Sequence, residues 1–153
     1  MRTLVSDPIS GAELRDRIPF AKELGIELLL GEDGRSKLQL EVLPQHMNGW
    51  GAVHGGVTMT ALDVAMAVAA RSLEPDGKGV VTIEMKTSFM QAGPPQGRLS
   101  ATGTCVHRSS SMAFCEAEIR DEGDRLVARA SGTFKFLRHR VESSARAAGE
   151  RRG

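Results

Sequence analysis

Between His54 and Arg71 the chain carries a single charged residue, Asp63, in an otherwise apolar run, Gly55-Gly56-Val57-Thr58-Met59-Thr60-Ala61-Leu62-Asp63-Val64-Ala65-Met66-Ala67-Val68-Ala69-Ala70. A helix that is apolar on every side belongs inside a protein, so whatever fold forms must wrap this segment. The run is too short for a membrane span of about 20 residues, and Asp63 interrupts it. An unpaired carboxylate in such a helix costs several kcal/mol or titrates away from its ordinary range, and chemistry is a reason to keep it there. The loop just upstream, His46-Met47-Asn48-Gly49-Trp50-Gly51, brings glycines and polar groups to the start of the same helix.

The rest of the chain supplies the wrapping. Residues 11–24 read as a short helix broken at Pro19. Ile26–Leu30 and Ser36–Val42 form a hairpin about Gly31-Glu32-Asp33-Gly34, and Pro44 ends it. The apolar helix is expected over roughly 54–73, followed by a turn at Pro75-Asp76-Gly77. Three strand-like stretches and a last strand follow: Val80–Gln91, Arg98–His107, Met112–Arg120 and Arg125–Leu137. In the first, strict alternation sets Val81, Ile83, Met85 and Phe89 on one face and Thr82, Glu84, Lys86 and Ser88 on the other. The order predicts an α+β fold in which a curved antiparallel sheet wraps one long buried helix. One sheet cannot cover every face of such a helix, so a homodimer or dimer of dimers is expected.

With 153 residues, 41% of them hydrophobic and 25% charged, the chain suits one domain, taken as 1–137. The formal net charge of +1 gives no reason to expect nucleic acid. Five arginines and two glutamates lie from Arg138 onward, a net of +3, so the body is near −2 and the basic excess sits in a flexible tail, 138–153. His139 in that tail carries no argument. Cys105 and Cys115 lack any CxxC or Cys/His ligand spacing and read as reduced thiols. No secretory h-region begins the chain, which points to the cytoplasm without membrane attachment. No cluster has metal spacing, so no metal is expected.

The chemistry gathers at the helix start. Helix N-termini expose unpaired N–H groups and partial positive charge, and Gly55-Gly56 would let a carbonyl approach them, an oxyanion-type site. The same glycines also serve simply to turn the loop into the helix. Asp63 lies about 12 Å further along by helical rise, too far to act on a carbonyl at its own helix start. In a two-fold dimer it can face the helix start of the other subunit.

Asn48, five residues, His54-Gly55-Gly56 and then an acid nine residues after the histidine resembles the hotdog-fold acyl-CoA thioesterases of the phenylacetate-pathway (PaaI-like) type, the group of thioesterase superfamily member 2. Val81 to Met90 and Leu126 to Phe134 also resemble that family's central and last strands, and the likeness runs over roughly 17–137. The resemblance implies hydrolysis of an acyl-CoA thioester, with no cofactor beyond the CoA of the substrate. It implies Asp63 as nucleophile or general base, the Gly55 N–H as carbonyl polariser, Asn48 positioning water or carbonyl, and His54 touching the thioester and holding the loop. Thr82 matches a water-assisting hydroxyl, although the alternation places it opposite Ile83 and Met85, where it is equally an ordinary strand residue. Some branches of the family use Glu with a Thr one turn later; here Asp63 is followed by Ala67.

For the substrate, Gly56 lies at the carbonyl site, and Trp50 and Phe89 line an acyl pocket, Trp50 alternatively packing at the dimer contact. Arg108, Ser109 and Ser110 match a phosphate-contacting turn in which the family usually has glycine; Arg138 and Arg140 are further phosphate candidates. His46 reads as a structural loop residue. Other readings are a thioesterase for acyl-carrier protein or a non-catalytic acyl-CoA-binding protein; sensors of that kind usually attach a DNA-binding segment, for which no room is seen before Ile18. A hotdog dehydratase would need a different histidine motif, which is absent.

Overall fold

The computed structural model describes residues 9–74 and 79–137. The turn expected at 75–77 and the tail with Arg138, His139 and Arg140 lie outside these. Two short helices, α1 (Gly11–Arg17) and α2 (Pro19–Glu23), divide at Pro19, which starts the second helix because its ring fits a first turn. Strands β1 (Ile26–Glu32) and β2 (Arg35–Glu41) follow, then a 3-10 turn (Pro44–His46), helix α3 (Gly55–Arg71), and β3 (Val80–Phe89), β4 (Arg98–Arg108), β5 (Met112–Asp121) and β6 (Leu126–Phe136). The β1–β2 hairpin turns at Asp33-Gly34, both with positive φ (49° and 74°), a conformation that suits this dipeptide.

The six strands form one antiparallel sheet in the order β1-β2-β4-β5-β6-β3. α3 crosses its inner face and touches every strand. Its residues Ala61, Leu62, Ala65, Met66, Ala69 and Ala70 are almost fully buried against Leu38, Leu99, Ile119, Val127 and Phe134. The approach is closest at Gly103 of β4, where a Cβ would stand 2.5 Å from the Ala65 carbonyl oxygen. There the Ser36 hydroxyl donates to the same carbonyl at 2.6 Å. One stripe of α3 stays partly uncovered: Gly56, Met59, Thr60, Asp63 and Ala67, residues three and four apart along the helix.

The strict alternation expected along β3 is broken. A bulge at Ile83 shifts the pairing with β6 between Thr82 and Glu84. Thr82 is paired with inward-facing Phe134 and Met85 with Gly132, so both face the helix, while Ile83 is 53% exposed. Thr82 and Met85, assigned opposite faces by the sequence pattern, therefore share one, because the extra residue resets the two-residue period. A second bulge at Val106 does the same in β4 and turns Arg108 inward, opposite buried Ala113. Neither bulge has a glycine or proline to announce it. Among the described residues no helix is long and apolar enough to cross a membrane.

Candidate active site

The loop before α3 is closed by its own side chains. Asn48 accepts the N–H groups of Trp50 (2.9 Å) and Ala52 (3.1 Å) with its side-chain oxygen, an Asx-type turn. Met47 and Val53 form a β-bridge across its base. His46, completely buried, accepts the Leu43 N–H at Nδ1 (3.0 Å), and its carbonyl accepts the His54 N–H (2.7 Å). His46 thus ties the loop together. With its oxygen occupied, the Asn48 side chain has only its amide N–H groups left to offer, so toward a ligand it is a donor.

His54 is the N-cap of α3: its Nδ1 accepts the Gly56 N–H at 2.8 Å. The Val57 N–H is taken by the His54 carbonyl at 3.0 Å. Among the described residues no partner engages the Gly55 N–H, which leaves it as the open donor at the helix start. Gly56, expected at the carbonyl site, is already satisfied by His54. Phe89 packs close to this residue: a Cβ at position 55 would sit 3.3 Å from the ring's Cζ, a tight contact.

A cleft of about 420 Å³ opens at this point. It joins Asn48 and Gly55 to Thr58 and Phe89, and Met90, Gln91 and Gly93 close its far side. Thr58 and the 90–93 segment were not apparent from the sequence. Gly93 is the one local signal of that segment, because a Cβ there would come within 2.8 Å of Val53 and push the two loops apart. Trp50 is 94% exposed at the loop tip and lines no part of this cleft.

Asp63 sits on the uncovered stripe, and its Oδ1 accepts the Thr82 hydroxyl at 2.7 Å. Burial pushes its carboxyl above the ordinary range, and the Thr82 hydrogen bond pulls it part of the way back. The inward lane of β3 therefore joins two places: Thr82 lies on Asp63, and Phe89 lies on Gly55.

The expected phosphate turn is elsewhere. Arg108 donates to the Leu73 carbonyl, pairs with the nearly buried Glu74 and covers the Phe136 ring at 4.8 Å, all at the C-terminal end of α3. Ser109 folds its hydroxyl back onto the Met112 N–H at 3.0 Å, and Ser110 is exposed. Within one chain this turn and the Gly55 cleft lie at opposite ends of a helix about 25 Å long.

Residues 51–128 match the model of the thioesterase superfamily. The chain belongs to that superfamily. Its relatives include a Mycobacterium tuberculosis protein carrying a provisional esterase name, 34% identical over 126 residues, covering 80% of this chain and 89% of that protein. The 1,4-dihydroxy-2-naphthoyl-CoA hydrolase of Listeria monocytogenes is 32% identical over 105 residues, covering 68% and 84%. The acyl-coenzyme A thioesterase PaaI of Escherichia coli is 27% identical over 121 residues, covering 79% and 81%. The solved structure of E. coli PaaI superposes with a TM-score of 0.76 at 24% identity over 82% of this chain and 89% of its own, which establishes the hotdog fold. This member of the superfamily is a thioester hydrolase of the acyl-CoA thioesterase type.

Proposed function

We propose that the protein hydrolyses a CoA thioester of an aryl or medium-chain acyl group at a site shared by two subunits. The observation that carries this reading is the division of the machinery along β3. The open Gly55 N–H lies beside Phe89 and the Asp63 carboxylate beside Thr82, at opposite ends of one edge strand. Among the described residues β3 has no neighbour on its outer side, and Val81, Ile83, Phe89 and Met90 are substantially exposed there. A long apolar edge of this kind is a template for another strand. If two β3 strands pair antiparallel about Lys86, the bulge at Ile83 brings Thr82 opposite the partner subunit's Phe89. Asp63 of one subunit then meets the helix start of the other.

At such a site the Gly55 N–H and the partial charge of the helix polarise the thioester carbonyl. Asn48 donates to the same carbonyl or to water. His54 holds the helix start in place and presents Nε2 toward the thioester. Asp63, its basicity raised by burial, takes a proton from water as the water attacks the carbonyl carbon. The C–S bond breaks, and the leaving sulfur takes up the proton held by Asp63, so CoA departs as its thiol and the carboxylate is restored. Thr82 holds Asp63 by one oxygen and leaves the other free. A covalent role for Asp63 would instead give an acyl anhydride that water then opens. Phe89, Met90 and Val127 offer an apolar wall for the acyl group, in keeping with the aryl-CoA substrate in the Listeria relative's name. Contact between the Arg108–Ser110 turn and the CoA phosphates requires the second subunit to bring that end of the molecule near the cleft.

The test is thiol release from a panel of aryl- and alkyl-CoA thioesters, alongside an acyl-carrier-protein thioester. Turnover of the CoA panel that disappears in Asp63→Asn supports the reading. Saturable binding with no thiol released would make the protein an acyl-CoA binder. Mixed dimers of Asp63→Asn and a helix-start variant should recover about a quarter of wild-type activity if sites are shared; no recovery would place the whole site in one chain.

A further inference from the structure

The two cysteines play no part in the site above, yet the fold puts them in contact. Cys105 of β4 and Cys115 of β5 are direct register partners. The Cys105 N–H donates to the Gly34 carbonyl, on the β2 side, at 2.7 Å. In a strand the N–H and C=O of one residue point the same way, so toward β5 Cys105 makes no ladder hydrogen bond. The pair is therefore of the non-hydrogen-bonded kind, in which opposing Cα atoms stand about 4.5 Å apart and side chains are closest. That spacing falls within the range a disulfide spans, about 4.4–6.8 Å. Both thiols are free, Cys105 half-buried and Cys115 buried.

We propose that Cys105 and Cys115 form a reversible dithiol–disulfide site that reacts with peroxides. The Cys105 thiol faces Cys115 across the ladder and donates to the His107 carbonyl at 3.4 Å, and the Arg108 charge lies nearby. The facing Cys115 thiol does most to hold the Cys105 thiol below its ordinary range, to about 7, while Cys105 and burial push Cys115 far up. Cys105, the more accessible and the more acidic of the two, is the attacking sulfur and buried Cys115 the resolving one.

Cys105 thiolate attacks one peroxide oxygen; the O–O bond breaks and the other oxygen leaves as hydroxide, which takes up the proton Cys105 released and becomes water, giving a sulfenic acid. Cys115 then attacks the Cys105 sulfur, and hydroxide departs with the Cys115 proton as a second water. Two thiols lose two electrons to one peroxide, and a dithiol reductant returns them.

The experiment treats the reduced full-length protein with stepwise equivalents of hydrogen peroxide. It follows free thiols after denaturation, intact mass and peptide maps. The expected result is loss of both thiols together, a mass lower by two hydrogens, a link between residues 105 and 115 of the same chain, and full reversal by dithiothreitol. In Cys115→Ala, which lacks the thiol that most lowers Cys105, Cys105 should react more slowly and stop at a sulfenic acid trapped by dimedone, with no cross-link; in Cys105→Ala, Cys115 should survive the same treatment. Mass gain in oxygen steps without a cross-link in the wild type, or a link that joins two chains, would overturn the proposal.

Discussion

The two ends of α3 are built on opposite principles. At the C-terminal end the polar groups close on one another. Ser72 donates to Ala69 and accepts from Gly34, Arg108 covers the Leu73 carbonyl, and Glu74 is paired though only 7% exposed. At the N-terminal end His54 and the loop satisfy Gly56 and Val57 and stop there, leaving the Gly55 N–H, the Asn48 amide and a cleft. Both ends use the same device, a bulge that turns a side chain of the neighbouring strand inward: Val106 for Arg108, Ile83 for Phe89. One closes the helix; the other leaves room beside it. Polar groups left open beside a cavity mark the end meant for a ligand.

The largest break in that contrast is Asp63→Asn. Turnover of the best CoA thioester should fall about a thousandfold, the scale of a lost general base. Thermal stability at neutral pH should rise in the same variant. A carboxylate whose folded pKa is raised opposes folding once it ionises, and the amide removes that opposition. A melt that shifts downward would show that the Asp63 charge is compensated.

Gly55→Ala tests the open end directly. The added Cβ meets Phe89 at 3.3 Å and narrows the approach to the N–H, so kcat/KM should drop about a hundredfold. The helix itself tolerates alanine there, and circular dichroism should be unchanged. Retained activity would move the carbonyl site away from Gly55.

Glu74→Gln tests the closed end. It strands the Arg108 charge and should cost about 2 kcal/mol in denaturant unfolding, less than a wholly buried pair because Arg108 keeps a third of its side chain in solvent. Its kcat at permissive temperature should match wild type. A fall in kcat without a stability loss would couple the two ends.

The smallest effect is in Thr82→Val. Loss of one hydrogen bond to a charged group should lower kcat roughly tenfold. Without the hydroxyl, the Asp63 carboxyl is expected to rise further, so the acid limb of the kcat/KM profile should move to higher pH. Thr82→Ser should restore both readouts. A vertical drop with no change in the pH profile would make Thr82 a packing residue alone.

Most of the skeleton was legible in the chain because its signals are local. Pro19 splits the first helices, Asp33-Gly34 makes the hairpin turn, and the apolar run from Gly55 onward announces a helix that must be wrapped. The isolated charge of Asp63 and the glycines after His54 marked the candidate site in the same way. The 90–93 segment and Thr58 were not legible, because a cleft wall is made by whichever segments the fold brings back to it.

The sequence by itself determined which elements form, that α3 must be enclosed, and that Asp63 needs a reason to be there. It could not place Thr82 on Asp63 or Arg108 on Glu74. A two-residue period read along one strand holds only until an extra residue enters the ladder. Whether one enters depends on the register of the neighbouring strand, which tertiary packing against α3 decides.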